Sequence, residues 1–272
     1  MSQDHDPIEH LKGIMARLRD PDGGCPWDRA QDHRSLAPYA VEEAYEVAEA
    51  AERGDLDALA DELGDLLLQV IFHARIAEEA GRFDLDDIAR RLAEKLVRRH
   101  PHVFAGSDPQ RHGETWEAIK AEERAARGED DPSALAGVAP GLPPLLRAAK
   151  LQRRAARVGF DWDRPEPVLD KIREEVDELA EELHRRPRDP ARLEAEIGDL
   201  LFATVNLARH LGIDPEAALR GTNRRFEVRF RHMEQALARE GKALPHQDLE
   251  TLESAWQAAK AALKAEEDGA GS

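Results

Sequence analysis

The chain contains one sequence pattern twice, and this duplication limits its possible folds more than any other feature. The motif Gly-x-x-Trp-Asp-Arg occurs at residues 24–29 and again at residues 159–164. An acidic EExxE pattern follows each copy, at residues 42–46 and at residues 174–178. The chain of 272 residues is long enough for two modest domains, and the repeat favours two units of one design.

Both copies of the pattern predict helices. Segment 62–76, ELGDLLLQVIFHARI, and segment 196–210, EIGDLLFATVNLARH, carry apolar residues three and four positions apart. Alanine, leucine, glutamate and arginine dominate the chain, whereas aromatic residues make up only 5% of it. Because such a composition favours helices over strands, the sequence predicts an all-α fold.

The order of the segments predicts the domain organisation. The basic segment 84–99 aligns without gaps on segment 214–229, so each half contains a Trp-Asp motif, two acidic helices and a basic helix. Residues 128–144 are rich in Gly, Pro and Asp, which is typical of an exposed connector. We therefore predict an N-terminal repeat at residues 1–127 and a C-terminal repeat at residues 145–272.

Charge and hydropathy exclude several classes of function. A formal net charge of −17 argues against direct nucleic-acid binding and against anionic membranes, because their phosphates would be repelled. No apolar run approaches the ~18 residues of a membrane span, and the opening MSQDHDPIEH lacks the features of an export signal. Cys25 has no second cysteine to pair with. A cytoplasmic protein is expected, and phosphate ligands would need metal ions to offset its acids.

The repeated acids predict a metal site in each half. Residues three apart share a helix face, so Glu43 lies beside Glu46 and Glu62 lies beside Asp65. The intervening ERGDLD is a turn signal, which predicts that two antiparallel helices bring the pairs together. Four clustered carboxylates stay ionised only beside a cation, and their hard oxygens suit Mg²⁺ or Mn²⁺. The second half repeats this metal-binding pattern at Glu175, Glu178, Glu196 and Asp199.

Other interpretations of the acids remain open. A solvated acidic surface would be duplicated as faithfully as a metal site, because a repeat by itself shows only the common descent of the halves. A di-iron carboxylate site would use Glu-x-x-His, whereas here the partners three residues on are acids. Gly64 and Gly198 each precede an Asp, and glycine weakens a helix, so we expect a neighbouring backbone or a ligand to come close.

Several other conspicuous residues have structural interpretations. Cys25 is interpreted as a small turn residue, since no motif places a base beside it. His100 and His102 fall at a predicted helix end, where capping or packing is the usual role. Trp27 and Trp162 are interpreted as core anchors at the start of each bundle.

The motifs together resemble one known family. GCPWD, EExxE with ExxD, RRHPHVF at 98–104, VGFDWD at 158–163, GDLLFATVNLARHLG at 198–212 and NRRFEVRF at 223–230 resemble the bacterial MazG family of tandem-repeat nucleoside triphosphate pyrophosphohydrolases. The resemblance extends over roughly residues 7–262. It implies four-helix-bundle metal sites, a homodimer, and Mg²⁺-dependent cleavage of nucleoside triphosphates to monophosphate and pyrophosphate in nucleotide-pool house-cleaning.

The resemblance also implies roles for single residues. It implies that both acid sets bind metal, and that Glu175, Glu178, Glu196 and Asp199 together form the catalytic set. Lys171, Arg192, Arg225 and Arg229 fall where the family places its phosphate-contacting bases. Trp256 falls where the family places an aromatic residue in the substrate site, although a core role is equally open. Arg192 and Arg225 stand where lysine is common in the family, which changes the contact geometry.

The cations differ between the halves even though the acids do not. Lys171 precedes Glu175 by four residues and Arg192 precedes Glu196 by four, which puts each cation on the face of an acid. The matching positions in the first half are Tyr39 and Ala58, so that Lys95 and Arg99 remain as its phosphate contacts. We therefore expect the C-terminal half to carry most of the turnover.

Two classes of function follow from these observations. The first is the pyrophosphohydrolase, and the second is a non-catalytic module that binds metal and nucleotides to regulate or dock a partner. A docking module has no reason to place a full acid set and bases on one face. A pyrophosphate-release assay separates the two.

Overall fold

The computed structural model describes residues 6–104, 123 and 131–270. These residues form helices, turns and loops with no strand among them, which confirms the predicted all-α fold. The chain divides into two compact units, Met1–Gly128 and Glu129–Ser272. No helix in the described ranges is long and apolar enough to cross a membrane.

The first unit is organised around one long acidic helix. Its helices are α1 (Pro7–Leu18), α2 (Pro26–Ala30), α3 (His33–Arg53), α4 (Leu56–Glu79), α5 (Leu85–Arg99) and α6 (Pro101–Phe104). Helices α3 and α4 pack along each other, and α1 and α5 also pack on α4. The predicted turn lies between α3 and α4, where Gly54 adopts a left-handed φ of 68° that favours glycine.

The second unit repeats this design and extends it. Its helices are α7 (Pro144–Arg157), α8 (Glu166–His184), α9 (Pro190–His210), α10 (Pro215–Arg239) and α11 (Leu249–Ala270), with a 3₁₀ turn at Leu244–His246. Helix α9 packs against α7, α8 and α10, and α10 forms a second hairpin with α11. Three main helices are predicted in each half, and the structure adds α1 and α7 before them and α11 after them.

Aspartate side chains fix where the repeated helices begin. Asp55 at the start of α4 and Asp189 at the start of α9 each accept a hydrogen bond from a backbone N–H of the first turn. Asp84 and Asp214 do the same for α5 and α10. Such caps satisfy N–H groups that have no partner within the helix and stabilise it by about 0.5–2 kcal/mol each. Equivalent caps therefore set equivalent registers for α4 and α9 and for α5 and α10.

Each unit has its own small apolar core. In the first unit Met15, Leu36, Ile71 and Phe72 are buried together, and burying side chains of this size contributes about 1.5–3 kcal/mol each. In the second unit the cluster contains Met233, Leu237 and Ala259 between α10 and α11. The prediction that Trp27 and Trp162 are core anchors is wrong, because their exposed fractions are 52% and 43%.

Candidate metal centres

The two acidic hairpins each bring three carboxylates together. Ligand oxygens of Glu43, Glu62 and Asp65 lie within 4.8 Å of one another, and so do those of Glu175, Glu196 and Asp199. We call these groups the N-terminal triad and the C-terminal triad. In each triad the first helix of the hairpin supplies one glutamate, and the second helix supplies Glu and Asp from neighbouring turns.

The fourth predicted acid of each set lies outside its triad. Glu46 and Glu178 are exposed, and within the described residues neither belongs to a set of three or more acids whose ligand oxygens all lie within 4.8 Å of one another. Glu46 is nevertheless hydrogen-bonded to Glu43. The pKa of Glu43 is raised mainly by loss of water around its carboxyl and secondly by this hydrogen bond. The pKa of Glu178 is raised first by partial loss of water and then by the charge of Glu175. The negative charges of Glu43 and Glu46 therefore repel each other, and so do those of Glu175 and Glu178.

The chemistry of both triads fits a hard divalent cation. The pKa of Glu62 is raised by loss of water and then by repulsion from Glu46 and Asp65, which means that its negative charge is not fully compensated. Three carboxylates at such spacing supply the oxygen ligands that Mg²⁺ and Mn²⁺ bind in proteins. Asp65 and Asp199 are the exposed members of the triads, so each centre is open to solvent on one side.

A lysine distinguishes the C-terminal triad. Lys171 Nζ donates to Glu175 Oε1 at 2.8 Å and to Glu174 Oε1 at 2.9 Å, and the two carboxylates raise the pKa of Lys171. Glu175 is only 5% exposed, so its charge needs a nearby partner. The matching residue of the first unit, Tyr39, instead packs edge-on against Trp27 with ring centroids 6.1 Å apart.

Arg192 forms an ion pair with an acid that does not belong to the C-terminal triad. Its Nη1 donates to Glu182 Oε1 at 3.1 Å, and Arg185 binds the same oxygen at 2.9 Å. Glu182 is 6% exposed. Sequence reasoning missed Glu182, although it follows Glu175 by seven residues and therefore lies two turns along the same face of α8. The first unit has Ala50 and Ala58 at the positions of Glu182 and Arg192.

The other predicted substrate contacts lie on the α10/α11 hairpin. Arg225 and Arg229 line a groove of about 400 Å³ together with Lys260 and Lys264, and Arg225 also donates to Thr222 Oγ1 at 2.9 Å. Trp256 belongs to the apolar cluster of this hairpin, with its ring 5.2 Å from that of Phe226. Sequence reasoning missed both lysines, because α11 lies beyond the repeated segment.

The cation matching Arg229 is neutralised in the first unit. Arg99 Nη2 and Arg98 Nη2 each lie 2.5 Å from an oxygen of Glu123. These contacts lower the pKa of Glu123 to about 2, chiefly through the hydrogen bond from Arg99. The predicted phosphate contact of the N-terminal half is therefore bound to an acid of its own unit.

A cavity of about 520 Å³ opens beside the C-terminal triad, and we call it the C-terminal cavity. Glu175, Asp199 and Lys171 line one part of it. The remaining walls combine apolar side chains with a few polar ones: Leu135, Leu151, Ala155, Phe160, Trp162, Val168, Phe202 and Ala203, with Gln152, Asp161, Asn206 and Arg209. The volume falls within the range of ~300–1,000 Å³ that is typical of small-molecule sites.

The polar residues of the C-terminal cavity form a connected network. Arg209 donates to Asn206 Oδ1 through Nε at 2.9 Å and through Nη2 at 2.7 Å. Arg209 also forms an ion pair with Asp161, which His210 contacts at 3.0 Å. The network ties the Gly-Phe-Asp-Trp-Asp loop to α9 and fixes the Asn206 amide. In the first unit Phe72 occupies the position of Asn206 in the repeat and is buried in the core.

The remaining predicted residues occupy ordinary structural positions. His100 Nδ1 lies 2.7 Å from the Leu96 carbonyl oxygen at the end of α5, and Cys25 is the half-buried N-cap of α2. A Cβ atom added at Gly64 or Gly198 would meet no atom of the described chain within 4 Å. A neighbouring backbone therefore does not explain these glycines, and open space lies beside both.

Comparison with known proteins agrees with this geometry. The MazG nucleotide pyrophosphohydrolase domain matches residues 31–104 and 164–233. A nucleoside triphosphate pyrophosphohydrolase of Escherichia coli strain K12 is 52% identical over 93% of this chain and 97% of its own length. A nucleoside triphosphate pyrophosphohydrolase/pyrophosphatase, MazG, of Thermotoga maritima is 47% identical over 93% of this chain and 95% of its own. An uncharacterized Bacillus subtilis protein, YabN, is 43% identical over 92% of this chain and 51% of its own.

Proposed function

This chain belongs to the MazG nucleotide pyrophosphohydrolase family, and we propose that it is a house-cleaning enzyme that hydrolyses nucleoside triphosphates to monophosphate and pyrophosphate at the C-terminal triad. The observation that carries the proposal is the combination of three clustered carboxylates, a lysine bonded to one of them, and a cavity of small-molecule size on the same side. The N-terminal triad has the carboxylates without the lysine.

A divalent cation, Mg²⁺ or Mn²⁺, is the cofactor that this proposal requires. Glu175, Glu196 and Asp199 would hold it in the second unit, with Glu178 beside them, and Glu43, Glu62 and Asp65 with Glu46 would do so in the first. When bound, the ion supplies Lewis acidity that lowers the pKa of a water molecule and offsets the charge of the phosphates. A triphosphate could not otherwise approach carboxylates packed this closely.

The residues of the chain position the substrate and handle the proton. The carboxylates of the C-terminal set are the groups available to accept the proton of the water that attacks the α-phosphorus. Lys171 can turn from Glu174 towards a phosphate oxygen while it still faces Glu175, because its ammonium has three donors. Each charge-assisted contact of this kind is worth about 1.5–3 kcal/mol. Pyrophosphate then leaves as the group opposite the attacking water.

Basic side chains of the α10/α11 hairpin complete the proposed phosphate site. Arg225, Arg229, Lys260 and Lys264 line one groove in a chain of net charge −17, and such a local positive field favours an anionic ligand. We assign Arg225 and Arg229 to the phosphates and Trp256 to the rim of the substrate site, in line with the family membership. Arg192 is assigned to the phosphate site only because it precedes Glu196 by four residues.

A homodimer is part of the proposal. Ile197 and Leu201 on α9 and Val176 on α8 are about half exposed, and Leu63 repeats the exposure of Ile197 in the first unit. Apolar residues that flank a carboxylate centre on a hairpin are the usual interior of a four-helix bundle, which a second copy of the chain would complete. Sedimentation should give a dimer for the protein and a monomer for I197E/L201E. A compact wild-type monomer at micromolar concentration would refute this part.

The experiment that tests the proposed activity is product analysis with and without metal. We expect monophosphate and pyrophosphate from each nucleoside triphosphate in the presence of Mg²⁺, and no products with EDTA. Diphosphate and inorganic phosphate would contradict attack at the α-phosphorus. Nucleotide binding without turnover in the presence of Mg²⁺ or Mn²⁺ would instead support the non-catalytic module.

A further inference from the structure

The C-terminal cavity joins two chemically different surfaces along α9. Asp199 and Asn206 both line it and are seven residues apart, which corresponds to about 10 Å along a helix that rises 1.5 Å per residue. Phe202 and Ala203 lie on the turn between them. One ligand can therefore place a charged group at the carboxylates and a neutral group at Asn206. A nucleoside triphosphate has this division, with phosphates at one end and a base at the other.

The Asn206 amide is held in one orientation. Its oxygen accepts two hydrogen bonds from Arg209, and Arg209 is fixed in turn by Asp161. An amide whose oxygen is engaged in this way must direct its nitrogen elsewhere. Asn206 is 7% exposed, and Nδ2 has no hydrogen-bond partner in the described part of the chain. Because Asn206 lines the cavity, the N–H groups of Nδ2 are the donors that it can offer to a ligand there.

The rest of the cavity suits a planar, apolar ligand with polar edges. Phe160, Trp162 and Phe202 contribute aromatic surface, on which bases of any kind stack favourably. Gln152, which is 6% exposed, donates to the Phe202 carbonyl at 2.8 Å, and its own oxygen has no partner among the residues that the structure describes. Buried polar groups without partners are costly, and a bound ligand is one of the ordinary ways to satisfy them.

We propose, building on the proposed pyrophosphohydrolase activity, that the C-terminal cavity binds the nucleobase of the substrate and that Asn206 reads it by donating a hydrogen bond from Nδ2 to an acceptor atom of the base. Arg209 and Asp161 are positioning residues that hold the Asn206 amide in this orientation. The first unit has lost this function, because Phe72 stands at the same place in its repeat, carries no donor and is buried in the core. Recognition of the base is thus confined to the second unit.

The variant N206D separates this role from a purely structural one. Aspartate keeps an oxygen that accepts from Arg209, and it replaces the cavity donor by an acceptor that opposes the acceptor of the base. We expect KM for nucleoside triphosphates to rise about 10- to 100-fold with kcat little changed, because the contact is the same in the ground state and the transition state. Q235E makes the matching amide-to-carboxylate change on an exposed part of α10 and should behave like wild type. Wild-type KM in N206D would overturn the proposal.

A second measurement needs no turnover, and Mg²⁺ is present in it to offset the charge of the carboxylates. Nucleoside 5′-monophosphates should quench the fluorescence of Trp162, which lines the cavity, whereas ribose 5-phosphate should not. The quenching should disappear in W162F. In N206D the affinity for the monophosphates, measured by the same quenching, should fall about 10- to 100-fold. Equal affinity of wild type and N206D for the monophosphates, or equal quenching by ribose 5-phosphate, would refute base recognition. Base-dependent quenching in a protein that releases no pyrophosphate would support the cavity assignment and refute the proposed activity.

Discussion

The C-terminal triad has a lysine within hydrogen-bonding distance of one carboxylate, whereas the N-terminal triad has a tyrosine at the same place in the repeat. The carboxylates themselves are clustered equally tightly in both units, within 4.8 Å. Both halves have therefore kept the carboxylates that the proposed function assigns to the ion. They have not both kept the groups that would receive a triphosphate.

The same contrast continues away from the carboxylates. Asn206 lines a cavity in the second unit, and its counterpart Phe72 packs in the core of the first. Arg229 faces a groove with other basic residues, and its counterpart Arg99 is bound to Glu123. A centre that binds metal needs only acids from one hairpin, but a substrate site needs side chains from several elements. A substrate site is therefore easier to lose after duplication than a metal centre, and the first unit has fewer of the side chains that such a site needs.

The largest expected effect comes from removing carboxylates in one unit at a time. E175Q/E178Q should lower kcat by on the order of a thousandfold, since metal-assisted chemistry is worth several kcal/mol of transition-state stabilisation. E43Q/E46Q should retain most of the activity. Pyrophosphate release under saturating Mg²⁺ measures both, with E181Q on the exposed face of α8 as the matched control. Equal losses from the two double variants, with helicity intact by circular dichroism, would remove the functional difference between the units.

The next largest effect concerns the lysine. K171Q should reduce kcat/KM by about 10- to 100-fold, because one charge-assisted contact to a phosphate is worth about 1.5–3 kcal/mol. R173Q is the control, since Arg173 is a cation two residues away whose ion pair with Asp170 is exposed on both sides. The activity assay should be run at several salt concentrations, because a contact to phosphate makes KM sensitive to salt. If R173Q and K171Q are equally impaired, net charge rather than position explains the role of Lys171.

Most of the fold and the two triads were predictable from the sequence, for reasons of local geometry. Asp caps fix the starts of α3, α4 and α9, and apolar spacing predicts the course of all four helices of the two hairpins. The short turn of each hairpin then brings the i, i+3 pair of the second helix to one glutamate of the first, although Glu46 and Glu178 stay outside the triads. Those rules depend on residues that are near each other in the chain. They hold for Glu62 and Asp65 as well as for Glu196 and Asp199.

Contacts that depend on the packing of separate elements were not predictable in this way. Arg192 has the spacing of a residue that faces Glu196, but the turn after α8 brings it to Glu182 instead. In the sequence, Asn206 is one polar residue among apolar ones. It borders a cavity because α7 and the loop that contains Asp161 form the other walls, and both are distant from it in the chain. The tryptophans of the repeated motif were expected in the core as anchors at the start of each bundle, yet each is about half exposed.

A smaller effect, on stability, should distinguish the basic helices. The pKa of Glu123 is about 2 in the folded protein, below its ordinary value of 4.5. A depressed folded-state pKa contributes stability that is complete above pH ~4.5 and is lost as the pH falls towards ~2. E123Q should therefore lower the unfolding free energy by about 1–2 kcal/mol at pH 7, allowing for solvent screening of the exposed Arg98, and by less at pH 3.

Urea unfolding of wild type and E123Q at the two pH values measures this difference. E227Q is the control, because the Glu227–Arg231 pair on α10 is exposed at both ends and should contribute little. A difference between wild type and E123Q that stays the same at pH 7 and pH 3 would mean that the charge of Glu123 does not stabilise the first unit.

The smallest expected effect decides between two roles for Arg192. If the residue acts as its ion pair indicates, R192Q should change kcat/KM by no more than about threefold, because the Arg192 side chain is 56% exposed and Glu182 keeps Arg185 as a second partner. The double variant E182A/R192A reproduces the alanines of the first unit and removes both partners together, so its stability should stay close to that of wild type. A loss of 10-fold or more in kcat/KM for R192Q, with KM rising and stability unchanged, would return Arg192 to the phosphate site. It would also show that the guanidinium leaves Glu182 when substrate binds. The spacing of Arg192 from Glu196 in the sequence would then predict its role better than its ion pair in the free protein does.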